Sequence, residues 1–141
     1  MTEIRLFRDD DQPALIALWE ACGLTRPWNP PAGDIALLRS SGHGELLLAV
    51  DGESLAGSVM VGHDGHRGWV YYLAVAPGRR ERGLGRQLTR AAEAWLSSRG
   101  VRKIELMVRD CNATALSFYG KLGYNREPVI VMSRWLVGTQ R

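Results

Sequence analysis

Val75-Ala-Pro-Gly-Arg-Arg-Glu-Arg-Gly-Leu-Gly85 joins a strand-like run to a helix-like one through a turn rich in arginine and glycine. Gly83 and Gly85 let the backbone turn sharply and approach a ligand closely. The following helix opens with unpaired N–H groups and the positive end of its dipole, so the turn reads as a backbone cradle for a phosphate-bearing cofactor. Arg79, Arg80, Arg82 and Arg86 add a local positive field.

On the C-terminal side, Leu84, Leu88, Ala91, Ala92, Trp95 and Leu96 recur at helical spacing, and Gly100 ends a helix over about 83–99. On the N-terminal side, Trp69 to Val75 reads as a strand with two buried faces. It follows Glu45 to Val50 and Ser54 to Val61, two strands around the hairpin signal Asp51-Gly52. Residues 3–8 alternate as a first strand. Asp9 to Asp11 and Pro13 resemble a helix start, with Leu15, Leu18, Trp19 and Cys22 at helical spacing. Asp34 is expected to cap a second short helix carrying Ile35 and Leu38. Beyond Gly100, Val101 to Val108 reads as a strand, Asn112 caps a helix closed by Gly123, and 129–136 makes a last strand. This order of hairpins and crossover helices predicts a mixed α/β (α+β) fold. Its sheet is mostly antiparallel and twisted, of about 6–7 strands, with helices on both faces.

The 141 residues are 45% hydrophobic and 23% charged, the usage of an ordinary globular chain, so one domain over 1–141 is expected. No run approaches the roughly 18 to 20 apolar residues of a membrane span, so no membrane partner is expected. The start, Met1 to Asp11, lacks the apolar stretch of a secretory signal, which makes the cytoplasm the expected location. Cys22 and Cys111 stand far apart without paired histidines, so neither a disulfide framework nor a metal site is expected; both are read as reduced and partly buried. The net charge of +3, from 18 basic residues of which only Lys103 and Lys121 are lysines, is too modest to imply nucleic acid.

A lone Gly-x-Gly does not identify its ligand. The phosphate loop of nucleotide triphosphatases requires Gly-Lys-Ser or Gly-Lys-Thr, whereas Gly85 is followed by Arg86-Gln87, and a dinucleotide fingerprint requires glycine where Leu88 stands. A second element lies downstream: Asn112-x-x-Ala115-x-x-Phe118-Tyr119-x-Lys121-Leu122-Gly123-Tyr124. Taken alone, Asn112 fits a helix cap and Tyr119 a half-buried packing residue. On one helix, the amide at its start and the phenol two turns on could also meet one extended ligand.

Together, the strand Tyr72 to Val75, the loop Arg80 to Gly85 and the segment Asn112 to Tyr124 resemble the GCN5-related N-acetyltransferase (GNAT) superfamily. Arg80, Gly83 and Gly85 match its Arg/Gln-x-x-Gly-x-Gly/Ala motif for acetyl-CoA, and the second segment matches its Asn…Phe-Tyr-x-Lys-Leu-Gly-Tyr motif. Pro27-Trp28-Asn29 and residues 62–68 resemble small bacterial members. The resemblance implies that backbone groups of Leu73, Ala74 and Val75 run beside pantetheine and stabilise the carbonyl oxygen. It implies that amides from Arg82 through Gly83, Leu84 and Gly85 to Arg86 grip the pyrophosphate, and that Asn112 bonds the pantetheine arm or a water beside it. Tyr119 would be the general acid for the leaving thiolate, since a phenol keeps its proton at neutral pH. Acetyl-CoA is the implied co-substrate, an amine the acceptor, and no metal is needed.

Several relatives place a glutamate on the strand equivalent to Trp69 through Val75; here that strand carries no carboxylate. His66, His63, Asp64, Glu45 and Asp34 are the nearby candidates for the base, with His66 preferred because a neutral imidazole accepts a proton near pH 7. A weak base favours an acceptor that is already partly neutral. An α-amine, with pKa about 7.7 to 8.0, or a small-molecule amine therefore leads over protein lysine at about 10.4. Acceptor recognition is expected between the first helices, around Trp19, Trp28 and Asn29, and in the loop 62–68. Two other functions fit parts of the pattern: a CoA-binding sensor or interaction module with little catalysis, and a nucleic-acid binder using the arginines. Exposed strand edges allow a homodimer.

Overall fold

The computed structural model describes residues 2–138. The chain forms two compact units, Met1–Leu106 and Met107–Arg141.

The first unit is a sheet of five strands in sequence order: β1 (Glu3–Leu6), β2 (Gly44–Asp51), β3 (Ser54–His63), β4 (Gly68–Val75) and β5 (Ile104–Glu105). The first three pairings are antiparallel and β4·β5 is parallel. A mixed α/β fold with helices on both sheet faces is thus observed, with five strands among the described residues in place of the expected six or seven. The expected strand 101–108 shortens to Ile104–Glu105, because Val101 is drawn back by an N–H bond to Leu96 O at 3.1 Å that closes the preceding helix.

The centre of the sheet is buried on both faces, so β2 and β3 are nearly continuous apolar runs. Along β2, Leu46, Leu48 and Val50 face one way, with Phe7, Met60 and Ala74, against Leu15, Leu18, Trp19 and Ile35. Those last four residues come from α1 (Gln12–Ala21) and α2 (Pro31–Ser41). Leu47 and Ala49 face the other way, with Val59, Val61 and Val70, against Leu84, Leu88, Ala92 and Leu96 of α3 (Leu84–Ser98). Gly57 permits the close fit at that face: a Cβ there would stand 2.8 Å from Ala74 O and 2.9 Å from a Leu88 methyl.

Asp34 does not cap α2. Pro30 occupies the cap and Pro31 the first helical position, where its missing N–H and fixed φ suit the helix, leaving Asp34 one turn inside with its side chain free for other partners. The exposed face of β4 also departs from expectation, since Tyr71 is 45% exposed.

The second unit carries α4 (Ala113–Lys121). The Asn112 side chain accepts from the Ala115 N–H at 3.0 Å, the expected cap. Gly123, at φ 95°, ends the helix, with Tyr124 N–H returning to Tyr119 O. Residues 129–136 form no strand, and Val129, Ile130, Val131, Met132 and Leu136 are exposed. Strand propensity without a paired neighbour does not make a ladder. Cys111 is exposed rather than partly buried, whereas Cys22 is half-buried; both are free thiols.

Candidate active site

The centre of β4 departs from regular pleating. Met60 pairs with Tyr71 and Ser58 with Ala74, so Tyr72 and Leu73 together oppose Val59 alone. This bulge adds one residue to β4 and takes Tyr72 to φ 54°, in the left-handed region. Because side chains alternate with a period of two, the insertion reverses the faces. Val70 packs towards α3, while Tyr72 and Ala74, at the same parity, turn towards α1 and α2.

A buried relay fixes that turn. The Trp19 indole N–H donates to Ser58 Oγ at 3.0 Å, and the Ser58 hydroxyl donates to Tyr72 O at 3.0 Å. Trp19 and Ser58 are both fully buried. The Tyr72 ring stacks on Trp19, centroids 3.8 Å apart and planes 12° from parallel. Its hydroxyl donates to Asp34 Oδ2 at 2.5 Å, which Asn29 Nδ2 also reaches, at 2.7 Å. Desolvation and the Asp34 acceptor push the Tyr72 phenol well above its ordinary pKa, so it remains a donor.

Past Val75, the chain runs through a short 3-10 turn, Pro77–Arg79, to Arg80, Glu81 at φ 65° and Gly83 at φ 79°. Two left-handed residues this close to a helix start curl the amides into a concavity suited to an anion. The first four amides of a helix lack an intrahelical acceptor. Here the bond that opens the ladder runs from Gln87 N–H to Gly83 O at 3.0 Å.

The arginines divide into two sets. Arg79 is spent on Asp51 at 3.2 Å and Ser54 Oγ at 2.9 Å. Arg80 Nε donates to Val75 O at 3.1 Å, and its guanidinium also lies 3.5 Å from Cys22 Sγ, so it ties the loop to the end of β4. Arg82 and Arg86 are exposed and, among the described residues, have no acidic partner. They are the cations left for a phosphate.

The family profile described as Acetyltransferase (GNAT) family matches residues 4–124, which include the bulge, the cradle and α4. The chain belongs to the GNAT acetyltransferase family. It is 46% identical over 138 residues to a protein named acetyltransferase from Pectobacterium atrosepticum, covering 96% of each chain. A protein of the same name from Sodalis glossinidius is 42% identical over 139 residues, covering 98% of each. In fold, the chain is similar to an aminoglycoside acetyltransferase from an uncultured soil metagenomic sample, solved with sisomicin, at TM-score 0.79 and 18% identity over 96% of each chain.

In this GNAT chain, Leu73, Ala74 and Val75 lie on the C-terminal half of the bulged strand, and Gly83 to Arg86 at the start of α3. In the second unit, Tyr119 packs edge-on against Phe118 and Tyr124 at 4.9 and 5.5 Å between centroids, and burial pushes its phenol up to about 12. His66 is exposed in the turn between β3 and β4. That turn is built on Asp64, whose carboxylate accepts from the backbone N–H groups of Arg67 and His66 and from the Trp69 indole, holding its pKa down to about 2. The strand begins at Gly68 and the bulge lies four residues further in, about 13 Å along an extended chain. Among the described residues, no cluster of three His, Cys, Asp or Glu side chains is placed to hold a metal ion, and no helix is long and apolar enough to cross a membrane.

The Asn29–Asp34–Tyr72 cluster is absent from the sequence reading as a unit. Asp34 and Tyr72 are 38 residues apart, and what brings them together is a bulge that no spacing rule announces. The one available signal was an acid one turn inside a helix opened by Pro30-Pro31, where it was not needed as a cap.

Proposed function

We propose that this acetyltransferase moves the acetyl group of acetyl-CoA directly to a primary amine, an N-terminal or small-molecule amine ahead of protein lysine. It would do so as one functional domain over 1–141. The observation that carries the proposal is the open amide end of α3 with Arg82 and Arg86 unspent beside it. A helix N-terminus with two free guanidiniums suits a pyrophosphate, and the family membership supports acetyl-CoA as its source.

Leu73, Ala74 and Val75 are proposed to flank the pantetheine arm and thioester. The bulge leaves Tyr72 and Leu73 sharing one partner residue, so β4 has main-chain groups to spare for a developing oxyanion. The neutral amine attacks the carbonyl carbon, the C–N bond forms, the C–S bond breaks, and the electron pair leaves on sulfur. From the second unit, Tyr119 is the proposed proton donor to that thiolate and Asn112 the proposed partner of the pantetheine arm. Asn112 already gives its side-chain oxygen to the Ala115 N–H, which leaves its NH2 for that role.

The ammonium proton has no carboxylate on β4 to receive it. His66 is the proposed acceptor, working through water from its exposed turn because a direct transfer to the bulge would have to cross the first half of β4. A His66→Ala variant with an unchanged acid limb in its pH–rate profile removes that role.

The cradle is tested by Arg82→Ala/Arg86→Ala. The double variant is expected to raise the KM for acetyl-CoA about tenfold or more, with a smaller change for the acceptor, and to lessen the salt dependence of acetyl-CoA binding. An unchanged KM would place the pyrophosphate elsewhere.

A further inference from the structure

Asp34 is a half-buried carboxylate held, among the described residues, only by neutral donors. The Tyr72 hydroxyl and the Asn29 amide both bond Oδ2, and among the described residues nothing donates to Oδ1. The ion pairs of the described residues, Arg5–Asp11, Arg39–Asp9, Arg67–Glu105, Arg79–Asp51 and Arg90–Glu93, leave it out. A half-buried carboxylate with one oxygen left without a donor is able to take a cationic group from a ligand. The side chains around it are suited to that purpose. Tyr72, stacked on Trp19, offers an aromatic wall, and Asn29 is fixed in a tight turn by its N–H bond to Arg26 O at 3.1 Å.

The place of this charge decides what it can bind. Tyr72 is the first residue of the bulge, and the backbone proposed to hold the thioester begins at Leu73. Asp34 therefore stands one tyrosine side chain away from the reacting carbonyl. A carboxylate next to an amine stabilises its ammonium form, which has no lone pair with which to attack. The cation at Asp34 is for that reason a different group from the nucleophile.

We propose that Asp34 binds a second, non-reacting cationic group of the acceptor, so that the enzyme selects diamines and other amines with a further positive charge a few bonds from the nucleophile. This deepens the acetyltransferase reading and rests on it for the position of the carbonyl.

The probes are 1,4-diaminobutane and butylamine. The wild-type protein is expected to acetylate the diamine with a kcat/KM about tenfold higher, beyond the twofold due to two equivalent amines, with the difference in KM. Asp34→Asn removes the charge while its amide oxygen still accepts from Tyr72 and Asn29; the diamine preference should vanish through KM. Asp34→Glu, which restores the charge, should recover part of it. Calorimetry on CoA-loaded protein reads the same site without turnover, and should show diamine binding that exceeds butylamine binding and is lost in Asp34→Asn. Equal use and equal binding of the two amines would overturn the proposal, as would an Asp34→Asn variant that loses kcat with KM unchanged. Asp34-dependent diamine binding without acetylation of either amine would keep the cation site and defeat the transfer reading; acetylation of both without preference would do the opposite.

Discussion

Tyr119 keeps its proton. With its phenol pushed up to about 12 by burial, it holds its proton at neutral pH, as the proposed donor to the thiolate must. Tyr119→Phe removes the proton and leaves the ring, so kcat is expected to fall about a hundredfold while acetyl-CoA affinity changes little; steady-state kinetics and equilibrium binding check the two halves. The sign of the pH dependence follows from the same residue. An acid group with a raised pKa stays in its active form as pH rises, so kcat/KM should climb as the acceptor amine loses its proton and show no alkaline decline between about pH 8 and 10. A decline there that disappears in Tyr119→Phe would mean that the phenol ionises far earlier than its surroundings imply.

The bulge in β4 is the element on which the proposed placement of the thioester rests. It turns Tyr72 towards α1 and α2, and Ser58 holds it by bridging the Trp19 indole and Tyr72 O. Ser58→Ala leaves the buried indole N–H without its partner, and should lower stability by about 1–3 kcal/mol, read as a shift in the denaturation midpoint. A second joint ties β1 to α1. Arg5 grips Asp11 with two bonds of 2.8 and 2.9 Å, and this pairing holds the Asp11 carboxyl below its ordinary pKa. A depressed carboxyl contributes stability above its unfolded pKa of about 3.9, and that contribution is lost as pH falls through the folded value. Arg5→Ala should therefore cost about 1 kcal/mol near neutral pH, with a difference from wild type that shrinks below about pH 4 in parallel denaturation curves. Such elements differ in how openly the sequence declares them. The Asp51-Gly52 hairpin, the stripe Leu84-Leu88-Ala92-Leu96 and the Asn112 cap follow from local periodicity and turn chemistry, and stand where expected. The bulge does not, because Tyr-Tyr-Leu-Ala is a regular strand until register with β3 is known. Nor do the extents of the expected later strands: residues 101–108 and 129–136 both have strand composition, but only Ile104–Glu105 finds a partner, and pairing decides whether composition becomes a strand.

At the scale of the whole molecule, the chain carries two motifs, the glycine-rich turn before α3 in the first unit and the Asn112 to Tyr124 segment in the second. The family profile runs through both, from residue 4 to 124. Acetyl-CoA should raise the melting temperature in proportion to its occupancy, as a ligand of the native state must. Binding alone is compatible with a sensor, so transfer is the claim to test. The direct measurement is to incubate the full chain with acetyl-CoA isotopically labelled in the acetyl group and a panel of primary mono- and diamines, then follow the label by mass spectrometry together with free CoA thiol. The account predicts label in an amide of the amine, one thiol released per acetyl group transferred, and loss of both in Tyr119→Phe. Label that stays on CoA, or that leaves only as acetate, while acetyl-CoA still stabilises the protein, would contradict it.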